Sequence, residues 1–266
     1  MSAMFHSNIT AISAMARIWL DGILGGWWDP SDFSTMFQDS AGTIPVTAVG
    51  DFVGLIKDKS GRGRDLFNTT TAQRPTLQRD ANGYYFLQFD GIDDNLYSTS
   101  GLWAGAQMMA AIAFKNLGSA SGALFELTPD PDNINGSFNM YIASSGTAIT
   151  ANIRGSALPQ NDGIFTIGPI GTLFTLTAMW DLTKTTNAEQ KIVRVNGQFI
   201  PNPAPLKVTG NPGTFANAVL YLGRRGKPAD PVNVAFYGGA IVGKSVTATE
   251  SLVVEQFIGQ KAGQVF

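Results

Sequence analysis

The chain contains no cysteine and only one histidine, His6, in 266 residues. The first absence excludes disulfides, thiolate metal sites and cysteine nucleophiles. It also fits folding in a reducing compartment, because small exported domains usually carry disulfides. The second leaves a Ser-His-Asp triad or a histidine metal site one residue to draw on, close to the N-terminus. No G-x-S-x-G elbow is present. Charge is scarce and balanced, with 18 Lys and Arg against 20 Asp and Glu and a net charge of −2. No global field therefore favours nucleic acid or an anionic membrane, and neither is an expected partner. There is no apolar run of about 18 residues, so no membrane span is expected. The N-terminus lacks the basic and apolar regions of a secretory signal.

What is abundant is the punctuation of short strands. Thirty glycines and many Asn, Asp and Ser residues suit tight turns rather than long solvated helices. Alternating or apolar runs predict strands near Tyr84–Phe89, Asn95–Ser98, Gln107–Phe114, Ala123–Leu127, Phe138–Ala143, Ala148–Ile153, Leu173–Trp180, Gln190–Val195, Val219–Leu222 and Asn233–Val242. A first short strand is expected around Val53, Leu55 and Ile56. This spacing favours an all-β sandwich over a βαβ pattern. Asn196-Gly197 supplies the two positive-φ residues of a type I′ hairpin. Ile12, Met15, Trp19 and Ile23 recur at helical spacing, predicting a short amphipathic helix within Thr10–Leu24. Thr247 and Glu250 form a capping box that opens a last helix, with Leu252, Val253, Gln256 and Phe257 as its apolar stripe. The expected organisation is an arm over 1–28, for anchoring or packing, and one domain over 29–266.

Candidate chemistry is sparse. Gly238-Gly-Ala-Ile-Val-Gly243-Lys244-Ser245 matches G-x-x-x-x-G-K-S. Its middle is apolar strand, and only about 20 residues follow, too few for the later strands and metal-binding Asp of a nucleotide-binding domain. The match reads as chance. Trp27, Trp28, Trp103 and Trp180 offer rings for sugar stacking or core packing, and Trp103, between glycines, is the better candidate for an exposed platform. Two small basic turns hold Arg62 and Arg64, and Arg224, Arg225 and Lys227; Arg224 and Arg225 are candidate ligand contacts. Asp93-Asp94-Asn95, Asp130 with Asp132 and Asn133, and Asp181 offer the hard oxygens that calcium takes, and read equally as turn formers. No strand carries carboxylates at alternate positions, so no catalytic residue and no catalysis are expected, and no cofactor besides calcium is in view.

Phe89-Asp90-Gly91-Ile92-Asp93-Asp94-Asn95-Leu96 occurs between Lys57–Asp65 with Gln73–Leu77 upstream and Thr177–Asp181, Val193–Gly197 and Tyr221–Arg225 downstream. This order resembles the laminin-G-like, concanavalin A-like jelly-roll domains, and the preface Trp28–Asp39 resembles versions found in tailed bacteriophages and prophages. The likeness spans Trp27 to Gly263. It implies two antiparallel sheets in a jelly-roll sandwich, a short N-terminal helix or arm and a short C-terminal helix. It further implies a structural protein on a virion surface, assembled in the host cytoplasm. There it would serve as capsid decoration, head fibre or tail fibre, with capsid or tail proteins as partners. A homo-oligomer, a trimer by preference, is expected. The alternative is a carbohydrate-binding module for host surface polysaccharide; a glycan hydrolase ranks below both.

Overall fold

The computed structural model describes residues 14–99, 105–128, 135–143, 146–154, 164–201, 213–226 and 230–266. A helical turn, α1, covers 14–17, and a 3-10 turn follows at Leu20–Gly22. Then come β1 (Gly25–Trp28), β2 (Met36–Phe37), β3 (Leu55–Ile56), β4 (Leu66–Phe67), β5 (Thr76–Arg79), β6 (Tyr85–Asp90), β7 (Leu96–Tyr97) and β8 (Gln107–Asn116). The chain continues through β9 (Gly122–Thr128), β10 (Ser137–Ile142), β11 (Ala148–Arg154), β12 (Ile164–Thr166) and β13 (Leu173–Asp181). It ends with α2 (Asn187–Gln190), β14 (Lys191–Val195), β15 (Gln198–Ile200), β16 (Val219–Leu222), β17 (Asn233–Val242) and α3 (Ala248–Gln260).

The strands form two antiparallel sheets packed face to face. Sheet A runs β15-β14-β13-β8-β17-β6-β5, and sheet B runs β12-β11-β10-β9-β16-β7-β4-β3-β2. The expected all-β jelly-roll sandwich is what the chain adopts. One long strand, β17, organises sheet A. Its first half pairs with β6 and its second half with β1, while β8 lies along its other edge. The register on β8 slips between Phe236 and Gly238. At Gly239 a Cβ would sit 2.8 Å from the Phe125 ring, so a larger residue would push the two sheets apart.

Sheet A is buried on both faces along its central strands β8 and β17. Its inner face meets sheet B in a core that includes Trp28, Phe89, Phe114, Phe125, Trp180 and Phe236. Its outer face is covered by α1 and α3 through a second apolar cluster containing Met15, Trp19, Trp27, Met109, Tyr237 and Phe257. Trp19 stacks on Trp27 (6.4 Å between ring centroids), and its Nε1 donates to Ile241 O at 3.1 Å. Burial on both sides explains why β8 and β17 read as continuous apolar runs rather than alternating ones. In sheet B, β10 and β16 alternate, which leaves a face turned away from the core.

Several local expectations change. The Asn196-Gly197 turn forms as expected, with φ of 50° and 74° joining β14 to β15. The helix expected over Thr10–Leu24 is, within the described residues, broken into an α turn at 14–17 and a 3-10 turn at Leu20–Gly22, and Gly22 at φ 78° ends it before the extended chain. Trp27 and Trp28 belong to a strand and are buried, as is Trp180, so none of these three is a sugar platform. α3 has its capping box, but its buried side carries Ser251, Val254, Glu255, Phe257 and Ile258, while Leu252 faces outward. The buried side is set by Val254, Phe257 and Ile258, which join the outer apolar cluster, and Glu255 beside them faces Arg194, 2.6 Å from Nε to Oε1. Among the described residues no helix is long and apolar enough to cross a membrane.

Candidate functional site

The outward face of sheet B carries a single row of side chains that crosses the sheet. Pairing aligns Asn152 of β11 with Asn139 of β10, Asn139 with Glu126 of β9, and Glu126 with Tyr221 of β16. Tyr221 then aligns with Tyr97 of β7, and Tyr97 with Phe67 of β4. The neighbours of each in sequence, such as Leu220, Leu222, Leu96, Leu66, Phe138 and Met140, point into the core. The alternation of a strand therefore puts the row on the opposite face. At about 4.8 Å per strand, the six residues span roughly 24 Å.

The row has an aromatic half and a polar half. The Phe67 and Tyr97 rings lie 4.9 Å apart, and those of Tyr97 and Tyr221 lie 6.1 Å apart, all partly exposed. Burial, and then the charge of Glu126, pushes the Tyr221 phenol above its ordinary range. Burial also raises Tyr141, which stands one position beyond Met140 on β10. Both phenols therefore stay protonated, as donors, at neutral pH. In the polar half, Asn152 Nδ2 donates to Asn139 Oδ1 at 2.9 Å. Glu126 is 1 % exposed and fully engaged: Arg225 Nε donates to Oε1 and the Gly226 N–H to Oε2, each at 2.9 Å. Arg225 also faces Asp230 at 3.8 Å.

The structure distributes the residues singled out in the sequence as follows. Arg225 sits at the polar half of the row, held by Glu126. Arg224 lies at the other side of the same turn, where Nη1 approaches Asp93 O at 3.4 Å. Trp103, Asp130, Asp132, Asn133 and Lys227 lie outside the described residues. Asp93 and Asp94 converge with Asp90, one oxygen of each lying within 4.8 Å of the others. The turn itself uses these carboxylates. Asp90 Oδ1 accepts from the Ile92 and Asp93 N–H groups, and Asp94 Oδ2 accepts from the Asp90 N–H at 3.0 Å. Burial, followed by the Asp90 and Asp93 charges, raises Asp94 to about 7. Asp181 binds Thr183 and Gln107. Gly238 and the apolar residues after it are in β17, paired to β8 and β1, so their backbone is laddered rather than looped. Lys244 reaches Glu250 at 2.5 Å, and Gly243 and Ser245 lie in the connection to α3.

No protein-family model matches the chain, and no curated protein matches it. Solved structures do. A botulinum neurotoxin serotype D binding domain superposes with a TM-score of 0.59 at 10 % identity, over 92 % of this chain and 52 % of that one. A botulinum neurotoxin type G receptor-binding domain gives 0.52 at 13 %, over 77 % and 48 %. Trypanosoma rangeli sialidase gives 0.54 at 13 %, over 90 % and 33 %. The chain is a jelly-roll sandwich. It spans about half the length of the toxin domains it matches, and at this identity the likeness shows the fold alone. The tailed-phage setting rests on the sequence resemblance, and none of these structures bears on it.

Sequence reasoning missed the row. Phe67, Tyr97 and Tyr221 come from three strands far apart in the chain, and only the pairing register brings them together. The available signals were the alternations in Val219–Leu222 and Ser137–Ile142, which turn Tyr221 and Asn139 away from their core neighbours.

Proposed function

We propose that the chain is a non-catalytic glycan-binding module that lays an extended saccharide across the outward face of sheet B. The observation that carries this reading is the row from Asn152 to Phe67. Aromatic rings suit the apolar C–H faces of sugars, and amide and phenol groups suit their hydroxyls. The long central strands of sheet A, β8 and β17, offer no such row because they are buried along their length. The match to toxin binding domains, one of them described in complex with N-acetylneuraminic acid, supports this class of ligand at the level of fold. Glu126, the carboxylate of the row, has both oxygens engaged by Arg225 and Gly226, which supports a non-catalytic role for this face. Glycoside hydrolysis requires a pair of available carboxylates facing one another across the bond.

Glycan-array screening followed by calorimetry tests the reading. Tyr97→Ala and Tyr221→Ala should each weaken the best ligand about tenfold or more, because an aromatic anchor commonly contributes ~2 kcal/mol. Both variants should remain folded. Unchanged affinity in both would remove the sheet B face as the site, and release of reducing ends would make the protein an enzyme.

A further inference from the structure

We propose that a groove on the opposite side of the molecule, between α3, the β5–β6 turn and residues 29–34, is a second saccharide site selective for neutral pyranose rings. The ligand class rests on the glycan-binding reading, but the site shares no residue with the sheet B row.

Two adjoining hollows of about 320 and 540 Å³ share Ser31, Tyr85 and Lys261. This is the size of ordinary small-molecule sites. The floor is an alternating chain of charges. Lys261 Nζ lies 2.7 Å from Asp29 Oδ2, Asp29 Oδ2 lies 3.4 Å from Lys59 Nζ, and Lys59 Nζ lies 2.6 Å from Asp32 Oδ2. Asp29 is 1 % exposed. Burial pushes its carboxyl up, but the two lysines pull it below its ordinary range. Two carboxylates against two ammoniums leave the floor with no net charge; the Arg79 guanidinium stands beside it, 5.3 Å from the Tyr85 ring centroid. A phosphate or carboxylate ligand would meet the Asp29 and Asp32 carboxylates along with the ammoniums, so the floor does not favour anions over neutral ligands.

The same floor suits hydroxyl groups. An ammonium has three N–H donors. Lys261 gives one to Asp29 and rests 4.7 Å from the centroid of the Phe257 ring, which leaves donor capacity for a hydroxyl oxygen. Asp32 and the exposed Ser31 and Ser34 hydroxyls add acceptors. Above the floor stand two tyrosines. The Tyr85 ring is braced edge-on by Phe33, centroids 4.9 Å apart. The Tyr84 ring closes on the chain just after α3. Gly263, at φ 74°, permits that approach, since a Cβ there would fall 2.5 Å from Tyr84 Cε2. A neutral sugar ring has what this site asks for: an apolar face for the tyrosines and a rim of hydroxyls for paired charges.

The test uses the full chain carrying Tyr97→Ala and Tyr221→Ala, which removes the sheet B platform. It is titrated with neutral gluco-, manno- and N-acetylglucosamine oligosaccharides, and with lactose against sialyllactose, by saturation-transfer NMR and calorimetry. Saturable binding of a neutral oligosaccharide is expected, falling at least tenfold on adding Tyr84→Ala. Ser31→Ala serves as a second variant, with melting curves to confirm folding. Three results overturn the groove: no binding left in the sheet B variant, binding indifferent to both Tyr84→Ala and Ser31→Ala, or sialyllactose tighter than lactose. A sheet B variant that binds like wild type overturns the sheet B site instead, and Tyr84→Ala then decides the groove. A wild-type chain that binds none of the probes overturns both.

Discussion

Asp94 sits in an environment that conflicts with its charge. It is 6 % exposed, beside Asp90 and Asp93, and its carboxyl is raised from 3.8 to about 7. A raised acid binds its proton more tightly in the folded state than in the unfolded one. Its stabilising contribution is present below about pH 4 and is lost as pH rises through about 7. Glu255, also raised by burial, acts in the same direction. The paired Asp29, Asp32 and Glu250 are lowered and act oppositely, losing their contribution only in acid. Melting temperature should therefore be higher at pH 5 than at pH 8. Asp94→Asn, which still accepts from the Asp90 N–H, should reduce that difference and raise the pH 8 value by a few degrees, at about 2–4 °C per kcal/mol. A variant with the wild-type slope would show that Asp94 does not titrate in this window. Arg225 gives a second residue-scale prediction. Arg225→Ala leaves Glu126 buried without its partner and should cost about 2 kcal/mol, below the 3–5 of a fully enclosed pair because Arg225 stays 26 % exposed. Denaturant titration measures it, and an effect under about 0.5 kcal/mol would mean the pair is screened. In the sequence Arg225 read as a free basic turn. Its partner lies 99 residues away, and no local pattern announces such a pair.

At the scale of elements, what was legible followed length. β16 and β17 have the expected boundaries, and β8 and β13 extend theirs by one or two residues. These strands carry enough apolar or alternating residues to set a period. β2 and β4 are two residues long and show none; they exist because β3 and β7 supply their partners. β1 was hidden differently. Its Gly25-Gly26 resembles the end of a helix, and only pairing with Ile241 and Val242 makes it a strand. α3 was legible at its start and misread on its buried side. Its start makes a prediction. Thr247 accepts from the Glu250 N–H, and Glu250 accepts from the Thr247 N–H. Thr247→Ala should cost about 1 kcal/mol. Thr247→Asp, which keeps the acceptor and adds a charge favourable at a helix N-terminus, should restore it. Equal loss in both variants would mean that the threonine methyl, not its oxygen, matters.

Over the whole molecule, the proposed sheet B site and the N-terminal cover of sheet A lie on different faces. The covers of sheet A close one side, and on the other the row stays partly exposed except at Glu126, which Arg225 and Gly226 engage. The row's alignment depends on register within sheet B, whereas the first residues described, Met15, Ile18 and Trp19, are buried against the outside of sheet A. The two should separate experimentally. A chain lacking residues 1–23 keeps β1 and all of sheet B but loses Met15, Ile18 and Trp19 from the outer cluster and uncovers Trp27. Burial of three large side chains is worth on the order of 5 kcal/mol, a large share of the 5–15 kcal/mol typical of a domain. Its melting temperature should fall by about 10 °C or more. Its affinity for the sheet B ligand, measured well below that temperature, should not change. Cutting after residue 28 instead would also take Trp28 from the inter-sheet core and β1 from β17, so loss of binding there would report unfolding rather than a missing anchor. If the shorter deletion left stability intact, α1 would be an appendage rather than a cover. If it weakened glycan binding while the chain stayed folded, the two faces would be coupled through the core, and the sheet B site could not be treated as rigid.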